Sequence, residues 1–469
     1  MIQDLKKEIK NLLKDEKNNI SVTFVGSSKI KKIEEISDID IVVICKNMTE
    51  KYYKKQIKKL QEIDSKFYKS KFDKIYINNS FGPLKFNKHK TLVLHLMIYD
   101  LKTHKQHVIE SPFTCLDWAM HDASYGDNLR DLYPIFDIQL KDFREARRSL
   151  KEYNTEFKEG KLSYREYLFT SNEEYLIVKK YKLVEDRELF EFMYHIVKFS
   201  LINLSKFVTN KNIFFTEDQI FSILPEFVIF KNLYRSLDRI KNNQDSYDIK
   251  EISQQCLNFL MFYHEYLNNK ENEIESKKIY FLRHSKTNLN DGTFLGIRRN
   301  PDVEKKITKE KIKILKNINI KNFFTSRLKR AINTVNQLTD HYSESELLNE
   351  IDYGEIEGLT LTQVKNRYPQ IIKSWSEGTD DHFPGGENLN DVQNRLNMFL
   401  SNNHLKTPLL GVTHQVFIRI AFCNAINLPI NESYKLNIEH EEPYCFYNIN
   451  GNFKSDHSRN EIYKIYEHD

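Results

Sequence analysis

The sequence predicts a multidomain protein with an α+β domain first, an all-helical middle region, and an α/β three-layer domain last. Three observations point there. The chain has 469 residues, and roughly 150 residues per domain suggests two to four domains. Glycine is unevenly spread: Gly26, Gly82, Gly126 and Gly160 are the four in the first 270 residues, and nine follow residue 290. Tight turns therefore concentrate in the last part. Apolar spacing changes in step, from mixed, to helical throughout, to alternating strand and helix patterns.

The elements follow in order. Within 1–111, an amphipathic helix runs from Ile2 to about Lys17, and SVTFVG is a β-branched strand ending at Gly26. IDIVVIC is a second strand, TEKYYKKQIKKLQEIDSKFY a helix, KIYIN a third strand and TLVLHLMIY a fourth. Residues 112–268 read as helix, because EYLIVKKYKLVEDRELFEFMYHIVKFSLINLSKFV and IKEISQQCLNFLMFYHEYL space apolar residues by three and four. NNKENEIESKK has no apolar face, which predicts a linker over 269–278. Residues 279–469 alternate strands (IYFLRH, IKNFFTS, LLGVTH) with helices (ITKEKIKILKNI, RLKRAINTVNQLTDHY, VFIRIAFCNAINL). That order predicts a mainly parallel sheet covered on both faces.

Composition excludes several classes. With 40% hydrophobic and 13% aromatic residues, the chain can fill several cores and is not globally disordered. No apolar run approaches the roughly 20 residues of a membrane span, so no membrane partner is expected. The first residues, MIQDLKKEIKNLLKDEKNN, lack the apolar stretch of a secretion signal. Cys45, Cys115, Cys256, Cys423 and Cys445 show neither CxxC pairing nor zinc spacing, so a reducing cytoplasm is the expected location. A net charge of +5, from 71 Lys and Arg against 66 Asp and Glu, describes a mixed surface. Nucleic acid is not an expected partner.

The strongest motif is LRHSKTNLN. Arg283 and His284 end an apolar strand, where open α/β sheets place their ligands. Arg330 lies one turn into a helix after another strand, His414 ends a third, and Glu350 lies between them in NEIDYGEIEG. The chemistry that fits is phosphoryl transfer through histidine. A neutral imidazole is a competent nucleophile near pH 7. Arginines match phosphate oxygens with bidentate donors, and a carboxylic acid protonates the leaving oxygen. Fixed positive charge then serves without a metal.

On these residues, the C-terminal 190 or so positions resemble the histidine phosphatase family, which includes the phosphoglycerate mutases. The resemblance implies that His284 is the phosphorylated nucleophile and that Arg283, Arg330 and His414 bind phosphate. It makes Glu350, ahead of Tyr353 and Gly354, the acid. Thr287 and Asn290, the pair Glu357–Gly358 and the turn PGGEN at 384–388 also match. Ser285 stands where the family usually has Gly, and IRRNPDV replaces a short Asp-x-Pro-Leu-like run, leaving Arg298 or Arg299 to reach the phosphate. The insertion that marks true mutases is short here, which favours a phosphatase. No cofactor is expected for this domain.

A second motif is VGSSKIKKIEEISDIDIVVI. Gly26, Ser27 and Ser28 form a turn at a helix start, which suits the phosphates of a nucleoside triphosphate. Strand alternation puts Asp38 and Asp40 on one face, a pair of oxygen ligands for magnesium. This segment resembles minimal nucleotidyltransferases of the DNA polymerase beta type. The resemblance implies Gly26 and Ser27 as the Gly-Ser motif, and Asp38 and Asp40 as the carboxylates for Mg2+. The family's third carboxylate has no counterpart: His95 occupies the expected mid-strand position, and Asp100 falls on the opposite face.

Together these predict a bifunctional enzyme, transferring a nucleoside monophosphate from a triphosphate and hydrolysing a small phosphorylated metabolite. Two alternatives stay open. His95 allows a phosphatase with a degenerate nucleotide-binding N-terminal half. Minimal nucleotidyltransferases also include toxin-type regulators that modify protein or RNA.

Overall fold

The computed structural model describes residues 2–14, 17–26, 38–82, 90–170, 174–243, 248–402 and 406–467. They form two compact units: 1–138 with 142–266, and 139–141 with 267–469.

The first unit is built on a five-stranded sheet in the order β3-β4-β2-β1-β5. Its strands are β1 (Asn19–Val25), β2 (Asp38–Cys45), β3 (Lys74–Asn78), β4 (Thr91–Asp100) and β5 (Tyr125–Gly126). β1 and β2 are antiparallel, while β4 runs parallel to both β2 and β3. The helix Ile2–Lys14 packs Leu5, Ile9 and Leu13 into the sheet's core. Their i, i+4, i+8 spacing lines one helix face, and each such burial is worth about 1.5–3 kcal/mol.

The middle region is mostly helical, as the long helix Asp186–Thr209 shows, but it is not uniformly so. β6 (Lys161–Phe169) and β7 (Tyr175–Leu183) form an antiparallel hairpin where the three-four spacing predicts helix. Tyr, Ile, Val and Leu favour a pleated ribbon once a partner strand is available. Tyr167, Phe169 and Tyr175 pack against the N-terminal core, and β5 joins the sheet through β1. Residues 112–138 and 142–266 thus belong to the same compact unit as the first sheet.

The predicted linker at 269–278 is also different. The helix Ile249–Glu275 runs through it, and strand β8 (Lys278–Arg283) starts soon after. The polar residues are the solvent side of that helix, anchored by buried Ile274.

The second unit carries a six-stranded sheet in the order β10-β9-β11-β8-β12-β13. β9 (Asn322–Thr325), β10 (Ser343–Glu344) and β11 (Leu409–Thr413) complete a parallel set with β8. β12 (Pro443–Ile449) and β13 (Asn452–Ser455) add an antiparallel edge. The sheet is therefore mainly parallel, as predicted. Gln139 enters this unit from earlier in the chain: Ser455 N–H donates to its Oε1 at 3.0 Å, and its Nε2 donates to Ala425 O at 3.3 Å.

Candidate active sites

The parallel register aligns the carboxyl ends of β8 and β11, with Arg283 paired to Thr413. His284 and His414 follow directly, and their rings lie 5.0 Å apart. Both are buried, His284 at 3% and His414 at 0% exposure.

The protonation of His284 follows from its two partners. Arg330 Nε donates to Nε2 at 3.2 Å, and Nδ1 faces the Ser285 carbonyl at 2.7 Å. A guanidinium only donates and a carbonyl only accepts. The proton therefore sits on Nδ1, and Nε2 presents its lone pair. Burial first, then the charge of Arg330, holds the ring's pKa well below the usual histidine range. The ring is therefore neutral at physiological pH.

Arg330 is fully buried. Its Nη2 donates to Gly296 O at 2.8 Å and its Nη1 to Arg299 O at 3.2 Å. Burial lowers its pKa to about 10, as it does that of Arg283, so both stay cationic near neutrality. Arg283 Nη1 donates to Ile438 O at 2.5 Å, while its Nε is buried without a partner. His414 Nε2 meets Ser326 Oγ at 2.7 Å. Ser326 Oγ also accepts from Leu328 N–H at 3.1 Å. His414 Nδ1 is buried and unpartnered. The unmatched Arg283 N–H in this site is what an anion's oxygen would complete.

Glu350 is buried and accepts from Ile351 N–H at 3.1 Å and Val416 N–H at 3.2 Å. Val416 lies in the first turn of the helix Gln415–Ile426. Burial raises the carboxyl's pKa, and Arg330 and Arg283 oppose that only in part. A supported loop holds it in place. Arg395 donates to Glu350 O at 3.3 Å and to both carboxylate oxygens of Glu387 at 3.0 Å. Glu387 in turn accepts from Asp352 N–H at 2.9 Å. Gly354 has φ +58, and a Cβ there would lie 2.1 Å from Pro384 O. The Tyr-Gly and Gly-Gly-Glu motifs therefore meet backbone to backbone.

The structure brings Arg283, His284, Arg330, Glu350 and His414 together. It turns Arg298 and Arg299 elsewhere. Arg298 pairs with Asp352 at 2.9 Å, and Arg299 Nη1 donates to Thr293 at 2.9 Å. Their backbone N–H groups are held by Glu357 at 3.0 and 2.5 Å, so Glu357 shapes the loop that carries Gly296 and Arg299 to Arg330. Asn290 Oδ1 closes a local turn by accepting from the Thr287 backbone at 2.8 Å.

Sequence reasoning missed His440. Its Nδ1 donates to the His284 carbonyl at 2.7 Å, and its ring lies 5.3 Å from that of His284. No spacing rule marks it, since it sits in the loop before β12 and reaches the site only through the antiparallel pairing with β8.

Several rings in this unit are buried and neutral. Burial lowers His284 and His414 well below the usual range, and His440 and His457 to about 4. As pH falls below about 6.5, the unfolded chain takes up protons that these folded rings refuse, so stability falls with pH. Glu350, raised on folding, works in the opposite direction, one group against four. The melting temperature, followed by differential scanning fluorimetry, should be several degrees lower at pH 5.5 than at pH 7.5. An unchanged melting temperature would contradict this.

In the first unit, alternation along β2 leaves Asp38 and Asp40 half-buried on one face and Ile39 buried on the other. Gly26 lies beside Asp40, with φ +76, and a Cβ there would stand 2.5 Å from Asp40 Oδ2. Only glycine leaves room for that carboxylate. Ser27 and Ser28 lie outside the described residues. In register, Asp40 pairs with His95, and His95 Nδ1 lies 3.0 Å from Asp40 Oδ1. His95 Nε2 meets the Ser80 carbonyl at 2.8 Å. Asp100 instead caps the helix Leu101–Glu110, accepting from Thr103 N–H at 2.8 Å. Among the described residues, no group of three or more His, Cys, Asp or Glu side chains is arranged to hold a metal ion. Two carboxylates still fit magnesium, which usually takes one or two together with substrate phosphates.

Comparison with known proteins finds a matching domain family in each unit. Residues 279–454 match the histidine phosphatase superfamily (branch 1), and residues 5–85 match the nucleotidyltransferase domain. The chain is 30% identical over 111 residues to the fructose-2,6-bisphosphatase of Saccharomyces cerevisiae, covering 24% of this chain and 25% of that protein. It is 24% identical over 204 residues to 6-phosphofructo-2-kinase/fructose-2,6-bisphosphatase 4 of Rattus norvegicus, covering 40% and 42%. To phosphoserine phosphatase 1 of Hydrogenobacter thermophilus it is 26% identical over 167 residues, covering 33% and 79%. The chain thus spans less than half the length of the first two relatives. A solved mycobacterial glucosyl-3-phosphoglycerate phosphatase aligns with 18% identity and a TM-score of 0.33, covering 38% of this chain and 97% of its own. No helix among the described residues is long and apolar enough to cross a membrane.

Proposed function

From an enzyme that joins a nucleotidyltransferase domain to a histidine phosphatase domain, we propose two reactions at two sites, one in each unit. The C-terminal unit hydrolyses a small phosphorylated metabolite. His284 Nε2 attacks phosphorus, and the phosphorus–oxygen ester bond breaks. Glu350, whose carboxyl is pushed up by burial, gives a proton to the departing oxygen. Water then attacks phospho-His284, Glu350 takes a proton from it, and inorganic phosphate leaves. The incoming phosphate oxygens receive the Arg330, Arg283 and His414 donors, and Arg330's shift from Nε2 to phosphate frees the lone pair. The single observation that supports this reading is the neutral His284, its Nε2 facing Arg330, in a site where Arg283 Nε is buried without a partner. Relatives named for a sugar bisphosphate and for phosphoserine support a small metabolite as substrate.

The N-terminal unit transfers a nucleoside monophosphate from a triphosphate to a small-molecule acceptor, releasing pyrophosphate. Asp38 and Asp40 would hold Mg2+, which when bound neutralises triphosphate charge. Gly26 leaves space for Asp40, and His95 fixes the Asp40 carboxylate. The proposed setting is the cytoplasm, where five buried free cysteines stay reduced.

His95 supports a second reading, in which this unit binds nucleotide without turnover. Pure protein with magnesium should therefore meet each ribonucleoside triphosphate, with acceptor pools, and separately a panel of phosphomonoesters. Phosphate release lost only in His284→Ala, and pyrophosphate release lost only in Asp38→Ala/Asp40→Ala, is the expected result. Phosphate without pyrophosphate under every condition would sink the transferase reading and leave the nucleotide-binding one. Label transferred to protein or RNA would instead identify a macromolecule-modifying regulator. His95→Asp, which restores a third carboxylate, should raise magnesium-dependent pyrophosphate release at least about tenfold. No gain would show that His95 is not what limits this site.

A further inference from the structure

The first unit contains a cavity of about 250 Å3 that neither reaction uses. Three cations line it: Arg147, Arg165 from β6 and Lys179 from β7. One carboxylate, Glu110, faces them. Tyr99 and Phe81 add an aromatic wall, with ring centroids 5.0 Å apart. Tyr99 lies four residues beyond His95 on the same face of β4. At about 3.3 Å per residue that is roughly 13 Å from His95. The cavity is a different place from the Asp38–Asp40 pair.

Its cations are only partly satisfied. Arg147 pairs with Glu110, and its Nη1 donates to His107 Nδ1 at 3.3 Å. Nδ1 thus accepts, and the His107 proton sits on Nε2, which is buried without a partner. Arg147 Nε is likewise buried and unmatched. Arg165 and Lys179 share a single carboxylate, Glu152, at 3.6 and 3.2 Å. Burial and the nearby Arg147 charge both weaken Arg165's hold on its proton, as expected of guanidinium groups crowded without enough counter-charge. The arrangement is costly unless an anion enters. The volume equals about eight water molecules' share of liquid, so the ligand is small. The aromatic wall suits a short carbon skeleton.

We infer that this cavity is a binding site for a small organic phosphate or phosphonate dianion, seated between Arg147, Arg165 and Lys179 with its carbon end on Tyr99 and Phe81. The site stands apart from both proposed reactions and does not depend on either.

Trp118 can report on it. Its ring lies 4.8 Å from that of His107, and the chain has only one other tryptophan, Trp375. In full-length Trp375→Phe protein, Trp118 fluorescence should change saturably with methylphosphonate, which the phosphatase site cannot hydrolyse, and with orthophosphate. Glycerol, uncharged, should do nothing. Arg165→Gln and Lys179→Gln should each weaken methylphosphonate binding about tenfold. His284→Ala should leave it unchanged. Lys179 is half-exposed, so its variant tests the idea even where Arg165→Gln lowers stability, which a parallel melting curve reads. A flat titration, equal binding by Lys179→Gln, or loss of the signal in His284→Ala would overturn the inference.

Discussion

In His284→Ala, phosphomonoester hydrolysis should fall by about 10^4-fold or more in kcat, with the melting temperature kept within a few degrees. The size follows from the role. Of the three site rings, His284 is the one whose Nε2 faces Arg330, the arginine proposed to hold the phosphate. His414 Nε2 is occupied by Ser326, and His440 Nδ1 is tied to the His284 carbonyl. The donors left behind still bind phosphate, so the KM should move far less than kcat. Pyrophosphate release from the other unit should not change. Phosphate release, measured colorimetrically on matched protein preparations, checks all three. Residual hydrolysis within tenfold of the parent would mean that another group is the nucleophile.

The second large effect belongs to Arg330. Arg330→Lys keeps a positive charge but loses the planar fork that reaches His284, Gly296 O and Arg299 O together. Its kcat/KM should drop by about 10^2 to 10^3, the usual cost of one preorganised donor to a developing oxyanion. Arg330→Ala should be worse and also less stable, because the two buried carbonyls lose their donor. Steady-state kinetics with a thermal melt separates the two effects. A lysine variant with parental kcat/KM would show that the guanidinium's geometry is not used.

How much of this was legible beforehand depends on where each residue sits. His284 and His414 could be read because each directly follows an apolar run, and a parallel sheet brings such strand ends to one edge. Asp38 and Asp40 could be read because period two places them on one face. Gly26 was found as a turn residue, but its reason is steric room for Asp40, which only packing reveals. His95 was read at the third-carboxylate position, and its partners, Asp40 and Ser80, came from the parallel register of β2 and β4.

Other features left no local signal. The β6–β7 ribbon is rich in Tyr, Leu and Lys, whose spacing also fits a helix, and its strand partner decides. The stretch 269–278 looks like a linker because a solvent-facing helix end is as polar as a coil. Arg298 and Arg299 looked equally able to reach phosphate, yet Asp352 and Thr293 claim their side chains. His440 is brought in by a strand pairing between segments about 160 residues apart, which no motif encodes.

The most direct test of the central claim is to trap the covalent intermediate. The protein would be mixed with a 32P-labelled phosphomonoester it hydrolyses, quenched in alkali within milliseconds, and digested for mass spectrometry. An acid-labile, base-stable phosphate should appear on His284 and be absent from His284→Ala. Turnover with no label on any histidine, or label on a different residue, would contradict it.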